Sequence, residues 1–279
     1  MTPKYIDIHS HVNFKAFDAD RDEVIKRALE NDTWVINVGT QVDTSKKAIE
    51  LANKYKEGVY AVIGLHPIHT SASHHDKQEL GEEGGEFTSR GETFDKNIYR
   101  EFLKDKKVVA IGECGLDYYH AEKELIAKQK EVFIKQVELA NEFNKPLMLH
   151  IRDAYGDALN ILKEYAKVKG VVHFFSGTLE EAKSFVDFGF MISFAGAITF
   201  PPKKDGTGCH YNEVIKNVPL GMILTDTDSP YVAPVPYRGK RNEPVYVNEI
   251  VKKIAEIKNL GEDDVALAIV ANAKRMFGI

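Results

Sequence analysis

Eight short apolar runs alternate along this chain with longer segments of helical periodicity, and that alternation limits the folds open to it. The runs are almost continuously hydrophobic, which is typical of parallel strands covered on both faces. In chain order they are "YIDIH", "TWVINVG", "VYAVIGLHP", "KVVAIGECGLD", "PLMLHIRD", "GVVHFFSG", "FMISFAG" and "MILTDTDSP". We interpret each run as one strand of a single parallel sheet.

The segments between the runs have the apolar spacing of helices. Residues three and four positions apart are apolar in "RDEVIKRALEN", "TSKKAIELANKY", "KELIAKQKEVFIKQVELANEF", "NEIVKKIAEIKNL" and "EDDVALAIVANAKRMFG". Thr178 followed by Glu181 predicts a capping box at the start of another helix. Eight strand–helix alternations predict an α/β fold of the (β/α)8 TIM-barrel type. The alternative is a doubly wound open sheet, but no Gly-rich dinucleotide motif follows the first strand.

The length of the chain suits one such barrel. With 279 residues, 43% of them hydrophobic and 28% charged, residues 1–279 are expected to form a single domain with a sizeable core.

One segment departs from the alternation of strands and helices. It is a polar stretch near 69–95, rich in Gly, Glu and Ser, which we interpret as a loop inserted at the top of the barrel. It contains His74 and His75, and a neighbouring pair in such a loop is more often solvated than bound to a metal.

Charge and cysteine content exclude several classes of protein. A formal net charge of −5 argues against a protein that coats nucleic acid by bulk charge, although a local basic site is still allowed. Cys114 and Cys209 form no disulfide framework or zinc motif, and we expect Cys114 to be a small buried residue. The start "MTPKYIDIHS" has no signal-peptide pattern, and no apolar run reaches the roughly 18 residues of a membrane span. The expectation is a soluble cytoplasmic protein without an obligate protein partner.

Polar residues gather at the ends of the predicted strands, where the active site of a barrel lies. They are His9, His11, His66, Glu113, His150, Arg152, His173, Asp226 and Asp228. His9 and His11 are two positions apart, so they project to the same face. Any one of these groups could be structural, but imidazoles and carboxylates in this number suit divalent metals of the zinc or manganese type. They exceed the needs of one tetrahedral ion and suit two ions about 3.5–4 Å apart with a shared carboxylate.

The sequence resembles the TatD family of metal-dependent deoxyribonucleases, within the amidohydrolase superfamily. The matching segments run in family order over nearly the whole chain: "DIHSHVN", "GLHP", "IGECGLDYY", "LMLHIRDA", "HFFSGT", "DTDSPY" and "RGKRNEP". Two features depart from the family pattern. Asp226 stands where the family usually has Glu, and the insertion follows His69.

The resemblance implies a role for each member of the cluster. The six implied metal ligands are His9, His11, Glu113, His150, His173 and Asp228. The first two would hold one ion together with Asp228, and the other two histidines would hold a second, with Glu113 as the bridge. Asp228 would also accept the proton of the attacking water. Asp117 is a partner of the metal ligands, a substrate contact or a turn former after Gly115 and Leu116.

The expected reaction is hydrolysis of DNA phosphodiester bonds, from an end or on single strands, with two divalent ions of the zinc, manganese or magnesium type. The residues expected to contact the substrate are His66, Arg152, Arg238, Lys240 and Arg241. One alternative is an amidohydrolase or lactonase acting on a small substrate, because one fold hosts many reactions. Glu113 stands where many of those enzymes have a carbamylated lysine, which favours the nuclease. A non-catalytic metal-binding scaffold is a third possibility, and the presence of Asp228 argues against it.

Overall fold

The computed structural model describes residues 2–75, 87–119, 121–201 and 211–279. Its strands are, in chain order, β1 (Tyr5–Ser10), β2 (Thr33–Val38), β3 (Val59–Ile63), β4 (Ser73–His75), β5 (Phe87–Ser89), β6 (Val108–Asp117), β7 (Leu147–Arg152), β8 (Gly170–Val172), β9 (Met191–Phe194) and β10 (Ile223–Thr225). Eight of them form one parallel sheet in the order β1-β2-β3-β6-β7-β8-β9-β10. All eight predicted apolar runs supply a strand of this sheet.

The two ends of the sheet meet through backbone hydrogen bonds. The N–H of Asp228, beyond β10, donates to the carbonyl of His9 over 2.9 Å, and the N–H of His11 donates to Ser229 over 2.7 Å. Ser10 and Ser229 form a parallel bridge. The sheet therefore closes nearly completely into a (β/α)8 barrel, and the predicted fold class is confirmed.

Helices follow the strands around the barrel. Among the described residues they are α1 (Arg21–Glu30), α2 (Val42–Asn53), α3 (Lys96–Phe102), α4 (Lys123–Phe143), α5 (Tyr155–Tyr165), α6 (Leu179–Asp187), α7 (Tyr211–Asn217), α8 (Val247–Lys258) and α9 (Glu262–Phe277). The capping box of Thr178 and Glu181 is present at α6. The sequence reading did not identify α3, α5 or α7. Helix α5 was detectable, because Ala158, Leu159, Ile161 and Leu162 form a buried stripe at helical spacing.

Apolar side chains fill the barrel on both sides of the sheet. One buried cluster takes residues from all eight barrel strands: Ile6, Ile8, Trp34, Ile36, Val38, Val62, Val109, Ala110, Met148, Val171, Met191 and Leu224. A larger cluster lies between the strands and the helices and includes Cys114, where burial raises the pKa of the thiol. Cys209 lies outside the described residues. Among the residues described, no helix is long and apolar enough to span a bilayer.

The polar insertion has secondary structure of its own. After a 3-10 turn at Pro67–Thr70, β4 and β5 form an antiparallel pair in which His74 lies opposite Thr88. The segment predicted as a loop therefore contains a short hairpin, whose connection at 76–86 lies outside the described residues. The backbone of His74 and His75 belongs to β4, and the expectation that neither binds the metal stays a prediction.

Candidate metal centre

Five strands bring the six predicted ligands together at the carboxyl end of the barrel. His9 lies in β1, Glu113 in β6 and His150 in β7. Of the other three, one follows β1 directly, one follows β8 directly, and one lies three residues beyond β10. These three are His11, His173 and Asp228. The strands are shorter than predicted at β8 and β10, and β6 continues four residues past Glu113 to Asp117.

One half of the centre consists of His9, His11 and Asp228. The two Nε2 atoms of the histidines lie 3.1 Å apart. The Asp228 Oδ1 atom lies 3.3 Å from Nε2 of His11 and 3.8 Å from Nε2 of His9. The three side chains thus present one nitrogen or oxygen each to a common point.

Glu113 lies between this half and the second pair of histidines. Its Oε1 atom is 2.9 Å from Nε2 of His173 and 3.0 Å from Nδ1 of His150. Its Oε2 atom is 3.4 Å from Nε2 of His9 and 3.8 Å from Nε2 of His11. The two oxygens of one carboxylate therefore face the two histidine pairs, which is the arrangement that a shared ligand requires.

The backbone around Glu113 is fixed by close approach of β6 to β7. The pairing register shifts between Ile111 and Cys114, as in a β-bulge. A Cβ atom on Gly112 would lie 2.4 Å from the Met148 carbonyl oxygen, and one on Gly115 would lie 2.0 Å from that of His150. Only glycine fits at either position. The glycines of "IGECGLD" thus allow the bulge that directs Glu113 into the centre.

Asp7 holds the Asp228 segment against β1. Its buried carboxylate accepts hydrogen bonds from the Thr227 N–H over 2.9 Å and from the Thr227 hydroxyl over 2.6 Å. On the other side, the buried Asn242 amide donates to the carbonyls of Thr227 and Tyr231, each over 2.7 Å. The sequence reading missed both residues. The signal for Asp7 was a carboxylate inside an otherwise apolar strand.

Hydrogen bonds orient the rings of two of the histidines. The Nδ1–H of His11 donates to the Val38 carbonyl over 2.9 Å, so its Nε2 lone pair faces the centre. The Nε2–H of His150 donates to Asp117 over 2.9 Å, and its Nδ1 atom is the nitrogen that faces Glu113, at 3.0 Å. Partners of this kind orient metal-binding imidazoles in proteins. Asp117 is therefore in contact with the site through His150.

His66 differs from the six in its hydrogen bonding. Its Nδ1 atom accepts the Ile68 N–H over 3.2 Å, so in the neutral ring the hydrogen is on Nε2. That Nε2–H lies 3.2 Å from Oε1 of Glu113. A protonated nitrogen has no lone pair for a metal. His66 is thus a donor toward Glu113, although its position alone would allow it to be a ligand.

Burial and charge act in opposite directions on the carboxylates of the centre. Burial alone would raise the pKa of Glu113, but the surrounding histidines lower it well below its usual range. Burial likewise opposes ionisation of Asp228, and contact with His11 still lowers its pKa. Burial, together with the charge of His173, lowers the pKa of His9 to about 3. Carboxylate oxygens and imidazole nitrogens that converge in a buried site are the donor set of divalent metal ions, so these residues fit such ions.

The other predicted site residues have contacts of their own. The Asp226 carboxylate accepts hydrogen bonds from the Ser193 hydroxyl and from the Phe174 N–H, and burial raises its pKa to about 6. The guanidinium of Arg152 stacks on Tyr119 at 3.6 Å, and that of Arg238 stacks on Phe200 at 4.5 Å.

The two remaining basic residues, Lys240 and Arg241, differ in their surroundings. Lys240 is exposed to solvent. Arg241 is engaged in the fold, because its guanidinium pairs with both Asp20 oxygens over 2.9 and 2.5 Å and lies over Phe17.

Such a barrel, with this set of nitrogen and oxygen donors at its carboxyl end, defines a metal-dependent hydrolase. A protein of Bacillus subtilis (strain 168), the uncharacterized metal-dependent hydrolase YabD, is 38% identical over 276 residues, which are 98% of each chain. The family described as TatD related DNase matches residues 6–278. The chain belongs to this family.

Solved structures show the same relationship. YJJV, a TatD homolog from Escherichia coli K12, has a TM-score of 0.82 and 26% identity, with 100% of both chains covered. A TatD family hydrolase from Entamoeba histolytica has a TM-score of 0.76 and 25% identity over 99% of each chain. A lactonase template for organophosphate hydrolysis has a TM-score of 0.63 at 14% identity and therefore shows only the common fold.

Proposed function

We propose that the protein is a deoxyribonuclease that hydrolyses phosphodiester bonds of DNA with the help of two divalent metal ions. The observation that carries this proposal is the position of Glu113, whose two oxygens face His150 and His173 on one side and His9 and His11 on the other. Bound zinc, manganese or magnesium ions would supply Lewis acidity and lower the pKa of a water molecule.

The side chains would then divide the remaining work. Asp228 would accept the proton of the attacking water, and its lowered pKa keeps the carboxylate ionised at neutral pH. His66 would stabilise the charge of Glu113 through its Nε2–H, or donate to a phosphate oxygen. Arg152 and Arg238, each stacked on an aromatic ring, would present guanidinium groups to phosphates that flank the scissile bond.

Metal removal tests this function most directly. After dialysis against a chelator, turnover of single-stranded DNA should fall to background, and added Mn²⁺, Mg²⁺ or Zn²⁺ should restore it. Metal content by mass spectrometry should return to two ions per chain. Duplex DNA, RNA and a panel of small esters and amides serve as parallel substrates. Restored turnover of an amide or lactone, with all nucleic acids left intact, would reject the nuclease in favour of an amidohydrolase.

Two neighbouring basic residues are expected to have different roles, Lys240 in substrate binding and Arg241 in the stability of the fold. Lys240 is exposed, so Lys240→Ala should raise KM for oligonucleotides and flatten the plot of log affinity against log salt by about 0.7. Arg241 pairs with Asp20, so Arg241→Ala should lower the free energy of unfolding by about 1 kcal/mol. Steady-state kinetics at several salt concentrations and urea unfolding measure the two effects. A loss of kcat in Lys240→Ala at unchanged KM would place this lysine in the reacting centre instead.

A further inference from the structure

A groove of about 640 Å³ opens at the carboxyl end of the barrel, between the loops that follow β7 and β8. This volume is in the range of cavities that hold small ligands. Its lining includes Tyr118, Asp153, Gly156, Asp157, Ser176 and Glu181. None of these residues is among the predicted metal ligands or phosphate contacts.

The groove lies beyond the same strand ends that carry part of the metal centre. Tyr118 follows Asp117, the partner of His150, and Asp153 lies three positions after His150. Ser176 likewise lies three positions after His173. Each wall of the groove therefore continues a strand that supplies a group around Glu113, so a molecule bound at the metal centre has this space beside it.

The lining favours a neutral group with N–H donors over a phosphate. The Asp157 carboxylate accepts a hydrogen bond from the Tyr118 hydroxyl and forms an ion pair with Lys130, each over 2.7 Å. The Glu181 carboxylate accepts the N–H and the hydroxyl of Thr178. Asp153 is exposed and accepts no hydrogen bond from the residues that the structure describes. An anionic phosphate would be repelled here, whereas a donor could pair with Asp153 beside the Tyr118 ring.

We propose that this groove binds the nucleobase of a nucleotide next to the scissile phosphate, a subsite that rests on the proposed nuclease function. An unstacked base is recognised by its edge and by contact with an aromatic ring. A carboxylate at the edge accepts hydrogen bonds from exocyclic amino groups, which thymine lacks. The subsite therefore prefers guanine, adenine or cytosine to thymine at one position. It also requires a single-stranded substrate or a frayed end, because a paired base cannot enter.

Gly156 offers a way to fill the groove without disturbing the fold. It lies in the first turn of α5, is exposed, and a Cβ atom placed on it meets no other atom within 4 Å. Gly221 is a matched control. It is also exposed, with nothing within 4 Å of a Cβ, but it precedes β10 and so lies at the opposite end of the barrel.

The test compares Gly156→Phe with Gly221→Phe on two substrates. One is a single-stranded oligonucleotide, and the other is bis(p-nitrophenyl) phosphate, a diester without bases. The ratio of the oligonucleotide KM to the diester KM should rise by about tenfold or more in Gly156→Phe, as expected for one lost base contact. The ratio in Gly221→Phe should equal that of the wild type. Circular dichroism and binding of a labelled oligonucleotide, followed by anisotropy, complete the comparison.

A second variant tests the base preference. Oligonucleotides that differ at one position should show faster cleavage with guanine, adenine or cytosine than with thymine, and Asp153→Asn should reduce this difference. An unchanged KM ratio in a folded Gly156→Phe protein that cleaves both substrates overturns the base subsite alone. Wild-type protein that is loaded with metal and cleaves neither substrate overturns the nuclease itself.

Discussion

Replacement of Asp228 by Asn should reduce hydrolysis of DNA by about 10²-fold or more, because an amide is a far weaker proton acceptor than a carboxylate. The substitution keeps the size of a side chain that lies 3.3 Å from Nε2 of His11, so the surrounding packing should be retained. The measurement is kcat at saturating metal and substrate, with folding checked by circular dichroism.

Asp187→Asn is the control for this change. Asp187 is exposed at the end of α6, just before β9 begins, and so lies at the opposite end of the barrel from the ligands. It should retain wild-type turnover. A folded, metal-loaded Asp228→Asn protein with full activity would show that another group accepts the proton, and Asp228 would then be at most a metal ligand.

Replacement of Glu113 by Gln should affect metal content and turnover together. The neutral amide cannot bridge two cations with two equivalent oxygens, and it removes the negative charge that faces four histidines. We expect fewer than two bound ions per chain and a loss of turnover of about 10²–10⁴-fold, the range for a positioned catalytic or charge-stabilising group. Metal analysis and kinetics on the same preparation test both effects.

Three other variants serve as controls for the effect of Glu113→Gln on metal content. Glu101→Gln removes an exposed carboxylate on α3 that pairs with Lys104, and it should leave metal content unchanged. His74→Ala and His75→Ala remove imidazoles from the hairpin of the insertion and should also retain two ions. Losses in these two as large as in Glu113→Gln would mean that the insertion belongs to the metal centre.

The fold and the grouping of the site could be predicted from sequence because both depend on local patterns. Each barrel strand is a short apolar run, and the polar residues at its carboxyl end must gather once the barrel closes. The family resemblance then assigned a role to each member of that group.

What could not be predicted depends on contacts between distant parts of the chain. The roles of Asp7 and Asn242 need the β10 loop to lie beside β1, which no local pattern specifies. The tautomer of His66 depends on the backbone N–H of Ile68, and the ion pair of Arg241 depends on Asp20. A basic residue in a loop near a phosphate site is a natural candidate for substrate contact. Only the three-dimensional structure shows which of these residues form ion pairs within the fold.

The hydrogen bonds between Asp7 and Thr227 join residues 220 positions apart, and the same contacts place Asp228 beside His9 and His11. Closure of the barrel and completion of the site are thus one event, which has to bring the two ends of the sheet together. During synthesis, a chain that has not yet released the segment around Thr227 holds only part of its ligand set. The complete ligand set therefore forms only after this late segment has been synthesised and has paired with β1.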